Sequence, residues 1–203
     1  MRTKFYSISM NNDIEKYIMA LFRRLSKITL LLEQCRQLYP NKETVLLLNE
    51  TAGLFFNIVQ EQFMDAILLG ISNIIDNNST FGHPNLTIRA LPQMIADEEL
   101  RSEVEELCNT AKDKSSFIKD HRNKRIAHFD KLFNLDMGSM ELESSTFKKV
   151  EISLDAIYSV LNLVSNKCFN NHLEMKFINL KGGADELVAR LANSAKQANE
   201  SKQ

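Results

Sequence analysis

Tryptophan is absent from this chain, proline occurs three times and glycine six times in 203 residues. So few turn-forming residues, with Leu, Ile, Glu and Lys common, favour helices over a sheet with many turns. The three cysteines, Cys35, Cys108 and Cys168, are far apart and odd in number. That pattern argues against a disulfide framework or a zinc site and suits core thiols in a reducing cytosol. No HxxxH, CxxC or carboxylate cluster argues for a metal, so none is expected. No glycine-rich loop calls for a nucleoside triphosphate, and no serine-centred elbow calls for acyl transfer. The expectation is a chain without cofactor. A formal charge of −1 supplies no global field to attract nucleic acid, so any such surface must be local. No apolar run reaches the ~18 residues that span a bilayer. Met1 to Ser9 lacks the apolar core of a signal peptide. A cytoplasmic protein with no membrane partner is the expectation.

What is abundant is helical periodicity. Ile14, Ile18, Leu21, Leu25, Ile28, Leu32 and Cys35 alternate spacings of four and three, which makes a helix seam. Asn12 or Asp13 caps its start, and Pro40 stops it. A second helix is expected from Lys42 to Ile75. Leu46, Leu47, Phe55, Phe56, Val59, Phe63, Ala66, Ile67, Ile71, Ile74 and Ile75 load its broad apolar face, and Gly53 and Gly70 are tolerated inside it at some cost. The two should form a long antiparallel hairpin around Pro40-Asn41. Asp76 to Asn85 reads as a loop by every turn signal. Thr87 caps a short helix, Ile88 to Ala96, in which Pro92 limits where the helix begins.

Asp97-Glu98-Glu99 opens a third long element with Leu100, Val104, Leu107, Cys108 and Ala111 on its buried face. Ser115-Ser116 offers a new N-cap there. After a loop from Asn134 to Ser145, Val150, Leu154, Ile157, Leu161, Val164 and Cys168 form a second seam. Lys181-Gly182-Gly183 breaks the chain, and Ala184 to Ala195 is a short amphipathic helix. The expected fold is all-α, an antiparallel helical bundle with no significant sheet. It is read as one domain over residues 1–192, followed by a polar tail, 193–203, with almost nothing to bury.

One run stands apart from the core patterning: Asp120-His121-Arg122-Asn123-Lys124-Arg125-Ile126-Ala127-His128-Phe129-Asp130. Two imidazoles, two guanidiniums, an ammonium and a carboxamide fall within three helical turns. Such cations repel one another unless something anionic meets them. Imidazole titrates near neutral pH, and guanidinium grips phosphate with a planar fork. Together they can hold or cleave a phosphodiester without a metal. Other readings stand beside that one. His128, between Ala127 and Phe129, also fits a core histidine bonded to a carbonyl, and His121 beside Asp120 fits a surface pair. His83, in a Gly-Pro loop, and His172, near a helix end, read as structural. Asp76 reads most simply as a helix-end residue.

Arg122-Asn123 followed after four residues by His128 resembles the signature of the HEPN superfamily, the higher-eukaryote and prokaryote nucleotide-binding domain. The longer run from Arg122 to Asp130 resembles its abortive-infection, U-type branch. The resemblance implies a helical domain and metal-independent RNA cleavage. It implies Arg122, His128 and Asn123 as catalytic residues, with Lys124, Arg125 and His121 holding substrate. An acidic residue at the end of the second helix can lie near the cleft in that family, which makes Asp76 a further candidate. It also implies a homodimer in which two motifs face one another across a two-fold axis around RNA, in phage defence or a toxin-like stress response with an antitoxin or regulatory protein as partner. Two alternatives remain: a HEPN module that binds RNA or a partner without cutting, and a helical scaffold or regulatory protein.

Overall fold

No proline or glycine precedes Pro40, so nothing in the first 39 residues stops a helix from propagating. The computed structural model describes residues 3–121, 144–175 and 182–200, and its first helix, α1, runs Thr3–Leu38. It starts ten residues before the Asp13 at which the sequence pattern begins it. All seven seam residues from Ile14 to Cys35 are buried. Helix α2 spans Lys42–Ile75, opened by the Asn41 carboxamide, whose Oδ1 accepts the Thr44 N–H at 2.9 Å.

The chain then makes a two-residue hairpin, β1 (Ser79–Thr80) against β2 (His83–Pro84), with Ser79 opposite Pro84 and Thr80 opposite His83. A 3₁₀ turn, Ile88–Ala90, leads into the four-residue α3, Leu91–Met94. Helices α4 (Glu98–Lys114), α5 (Ser116–His121), α6 (Ser144–Phe169) and α7 (Ala184–Glu200) complete the described elements. The all-helical expectation holds: the only described strands are that four-residue ladder.

Two compact units share these elements. One comprises Met1–Ile28 and Leu68–Met175, the other Thr29–Ile67 and Lys176–Gln203. In the first, α4 lies along α6, and the 3₁₀ turn and α3 pack on α4. Val104, Cys108 and Ala111 of α4 are buried, as are Val150, Leu154, Ile157, Leu161 and Val164 of α6, whereas Cys168 is only half-buried. Asp97 caps α4 by accepting the Leu100 N–H at 2.8 Å. Glu98 and Glu99 at the start and Lys112 and Lys114 at the end match the helix dipole. The helix stops at Ser115, where φ is −101° and ψ 7°, and α5 begins at the next residue, so the paired serines do mark a break. Ser153 Oγ donates to the Lys114 carbonyl at 3.1 Å, fixing the end of α4 against α6.

In the second unit Leu38, Leu48 and Phe56 form a small core with Tyr39, Val59, Phe63 and, from α7, Ala184, Val188 and Leu191. Tyr39 OH donates to the Phe56 carbonyl at 2.6 Å, and Gln34 Oε1 accepts the Ala184 N–H at 2.9 Å.

Three local expectations need correction. Helix α2 is interrupted at Ala52, where φ is −159° and ψ 62°. Thr51 Oγ1 bonds back to the Leu47 carbonyl at 2.7 Å and glycine follows at 53, both of which weaken a helix. A straight-helix count across that break fails. Leu46 and Phe55 are 52% and 60% exposed, while Leu48, Met64 and Leu68 take buried places. The Ile88 to Ala96 helix is instead a 3₁₀ turn and one α-turn, and the Thr87 side chain makes no cap bond. Helix α7 continues to Glu200, past Ala195. By length and composition alone α2 reaches the threshold of a membrane span, at a mean hydropathy of 1.3 over its most apolar window. The carboxylates of Glu61 and Asp65 on that helix are costly to place in lipid.

Candidate functional site

The end of α2, the 3₁₀ turn and the α4–α5 junction converge on one cleft of the first unit, about 450 Å³ in volume. That is the size of a small-ligand site. Among the described residues its walls are Ser72, Ile75, Asp76 and Asn77 from α2 and the turn after it, Arg89 from the 3₁₀ turn, Lys112, Asp113 and Ser115 from the end of α4, and Ser116 and Ile118 from α5. Ile74 and Ile88 are fully buried, which anchors the two elements that carry Asp76 and Arg89.

The polar groups of the cleft are organised. The Asp76 carboxylate accepts the Asn77 N–H at 2.8 Å. Arg89 Nη1 donates to Asn77 Oδ1, tying the turn to the end of α2. Cys108 lies under the same turn and donates its thiol to the Ile88 carbonyl at 3.3 Å. Burial pushes that thiol up to about 12, and Cys35 likewise to about 11, so both are inert apolar side chains at neutral pH. Cys168 is also free, and burial raises it too. The Oγ of Ser115, a residue only 1% exposed, has no hydrogen-bond partner among the described residues. A shielded hydroxyl without a partner in a cleft wall leaves hydrogen-bonding capacity unused there.

Arg89 and Lys112 bring two cations to the cleft, and Asp76 and Asp113 bring two carboxylates. Such a mixture does not suit a bare polyanion. It suits a ligand that carries a phosphate together with hydroxyls or amides: guanidinium and ammonium meet the phosphate, carboxylates accept from the hydroxyls. Among the described residues no group of three or more histidines, cysteines and carboxylates is placed to hold a metal.

Of the residues singled out in the sequence, Arg122, Asn123, Lys124, Arg125 and His128 lie outside the described residues, and His121 is described only as the last residue of α5. Asp76 is in the cleft wall. The cleft wall also reaches Ile118, four positions before Arg122 in the chain. His83 is exposed on β2, and His172 Nδ1 pairs with Asn162 Oδ1 at 2.7 Å beyond the end of α6. Arg89, Asn77 and Ser115 were not singled out by pattern. A lone cation after an apolar residue carries no periodic signal, and the convergence is tertiary. Lys112, in the last turn of α4, likewise carries no periodic signal of its own.

No curated protein and no solved structure matches the chain. A family profile does: that of AbiU2, a HEPN family, matches residues 14–187, a span that contains the cleft, the Arg122-to-His128 motif and the whole of both long seams. The chain therefore belongs to the AbiU2 family, the abortive-infection branch of the HEPN superfamily.

Proposed function

We propose that this protein is a metal-independent endoribonuclease acting in phage defence or a toxin-like stress response. The observation that carries the reading is the intact Arg122-Asn123 and His128 set inside the family match at 14–187. The RNA 2′-hydroxyl attacks the adjacent phosphorus, the 5′-oxygen leaves, and the products are a cyclic phosphate and a 5′-hydroxyl end. The imidazole of His128, a group of the kind that exchanges protons near neutral pH, removes or supplies the proton. Arg122 stabilises charge growing on the phosphoryl oxygens. Asn123 orients the imidazole or donates to phosphate, and Lys124, Arg125 and His121 follow the backbone. One motif offers one His128, whereas the reaction needs both an acid and a base, so the working unit is a cytoplasmic homodimer with two motifs facing one RNA. An antitoxin or other regulatory protein restrains it. The requirement for a 2′-hydroxyl excludes DNA.

The test is a time course on labelled RNA beside the same sequence as DNA, with EDTA present. Wild type cuts RNA only. Arg122→Ala and His128→Ala abolish cutting without loss of circular-dichroism signal, and His121→Ala hurts less. Equal rates for wild type and His128→Ala place the activity elsewhere. RNA binding that never leads to cutting replaces the nuclease with a binding module of the same fold.

A further inference from the structure

The hairpin beside the cleft presents an aromatic ring to water. Phe81 is 99% exposed. It occupies the first of the two turn positions between β1 and β2, with φ of 49°, and Gly82 follows with φ of 81°. Both central residues are thus left-handed, as a type I′ hairpin turn requires. Glycine meets that requirement freely. For phenylalanine it is an outlier, because the bulky Cβ substituent crowds the backbone. An exposed ring gains nothing from the core. The sequence therefore keeps a residue here that fits neither the backbone nor the solvent.

The support beneath it is rigid. Asn85 donates its side-chain amide to Thr80 Oγ1 at 2.7 Å and to the Asn77 carbonyl at 3.0 Å, and its N–H to the Asn78 carbonyl at 2.8 Å. Tyr17 of α1 donates to the Asn85 carbonyl at 3.1 Å and accepts the Thr87 N–H at 3.0 Å. Asn77 at the base of the hairpin is also bonded by Arg89 and lines the cleft. Tip, base and cleft are one connected scaffold within one unit.

We propose that Phe81 is an RNA-binding residue, a platform on which an unpaired base stacks while the adjoining backbone enters the Arg89–Lys112 cleft. The proposal rests on the ribonuclease reading and assigns single-stranded RNA as the form recognised. Stacking asks for one ring face at a fixed place, and every base offers a partner face. A protein partner asks for something else, a contiguous apolar patch around the anchor. Phe81 finds none in its hairpin: Ser79, Thr80, Gly82, His83 and Pro84 are exposed and mostly polar. Beyond the hairpin base lie Arg89 and Lys112 for phosphate and Asp76 and Asp113 for ribose hydroxyls, the chemistry of a nucleotide. A base inside a duplex has both faces covered and cannot use the ring.

The experiment uses the full chain carrying His128→Ala, so that substrate survives, and a fluorescein-labelled 12-nucleotide RNA either single or annealed to its complement. Phe81→Ala weakens single-strand binding by at least about fivefold by anisotropy. Phe81→Asn gives the same loss with an unchanged or higher melting temperature, because asparagine tolerates the left-handed conformation. Phe81→Trp retains affinity, and since the chain has no other tryptophan its emission reports the tip alone. Single-stranded RNA quenches that emission and duplex does not. Unchanged affinity in Phe81→Ala, or tryptophan emission that stays constant while anisotropy reports binding, overturns the proposal and leaves the nuclease reading standing. Absence of RNA binding by the parent chain overturns both. Loss of a protein partner in Phe81→Ala with RNA affinity intact reassigns the tip to protein docking.

Discussion

The two glycines inside α2 look equivalent by propensity, yet the structure gives them opposite responses to the same substitution. Replacing a helix-interior glycine with alanine ordinarily stabilises by up to about 1 kcal/mol, because alanine loses less backbone entropy. At Gly53 the nearest atoms to an added methyl are Asn49 Oδ1 at 3.6 Å and Asn49 Cβ at 3.9 Å, ordinary contact. At Gly70 the same methyl would lie 2.8 Å from both Cδ1 and Cγ1 of Ile28 on α1. Ile28 is only 5% exposed, so its side chain cannot swing into solvent to relieve the overlap. Overpacking of this kind costs about 1–3 kcal/mol. Gly53→Ala should therefore be neutral or stabilising, and Gly70→Ala should lose on the order of 0–2 kcal/mol despite the better propensity. Urea unfolding followed at 222 nm measures both. The cycle with Ile28→Ala isolates the cause: that change alone costs about 2–5 kcal/mol, and in the Gly70→Ala background it should cost about 1–3 kcal/mol less. A Gly70→Ala protein as stable as Gly53→Ala, or a cycle with no coupling, refutes the close α1–α2 approach at this point.

Tyr17→Phe deletes the hydroxyl that accepts from the Thr87 N–H and leaves that amide, in a fully buried residue, without its partner. The loss should be about 1–3 kcal/mol, with faster hydrogen exchange at Thr87, and unchanged exchange there counts against the role. Burial holds Cys35 at about 11 and Cys108 at about 12, above the ordinary 9.0, so the folded state keeps protons that the unfolded state releases. Their contribution is fully present below pH 9 and is lost as pH rises from there through 11 to 12. Stability should fall over that window, and the Cys35→Ala/Cys108→Ala protein should fall less steeply in the same titration.

How much of this was legible in the sequence depends on where the pattern is local. The α1 seam from Ile14 to Cys35 is a single period with no breaker, and every member is buried. The ends of α2 were legible because Pro40 and the polar run after Ile75 mark them. Its buried face was not, because the break at Ala52 resets the angular count and leaves Leu46 and Phe55 outside. The start of α1 lacked a visible signal for the opposite reason. Asn12 and Asp13 look like caps, but a chain with no Gly or Pro upstream simply continues the helix through them. The boundary between the two units falls inside a helix at 28/29 and at 67/68, so no composition change marks it there.

The candidate site divides along the same line. The Arg122-to-His128 cluster stands out in the sequence because its residues are contiguous, and its placement lies outside the described residues. The cleft is assembled from three stretches far apart in sequence, so only the member that a family pattern also marks, Asp76, was within reach. Arg89 shows the difference. In sequence it is one cation between Ile88 and Ala90. In the structure Ile88 is fully buried beside it, the Asn77 amide accepts from its guanidinium, and the same asparagine carries the base of the hairpin. One hydrogen bond thus joins the cleft wall to the tip that holds Phe81. Replacing the long planar donor with a shorter point charge, by Arg89→Lys, separates these two roles. A lysine still meets phosphate as a point charge but lacks the planar fork that can bond Asn77 and a phosphate at the same time. If the wall matters only as charge, RNA affinity survives that change; if it matters as a brace for the hairpin, affinity falls toward that of Phe81→Ala.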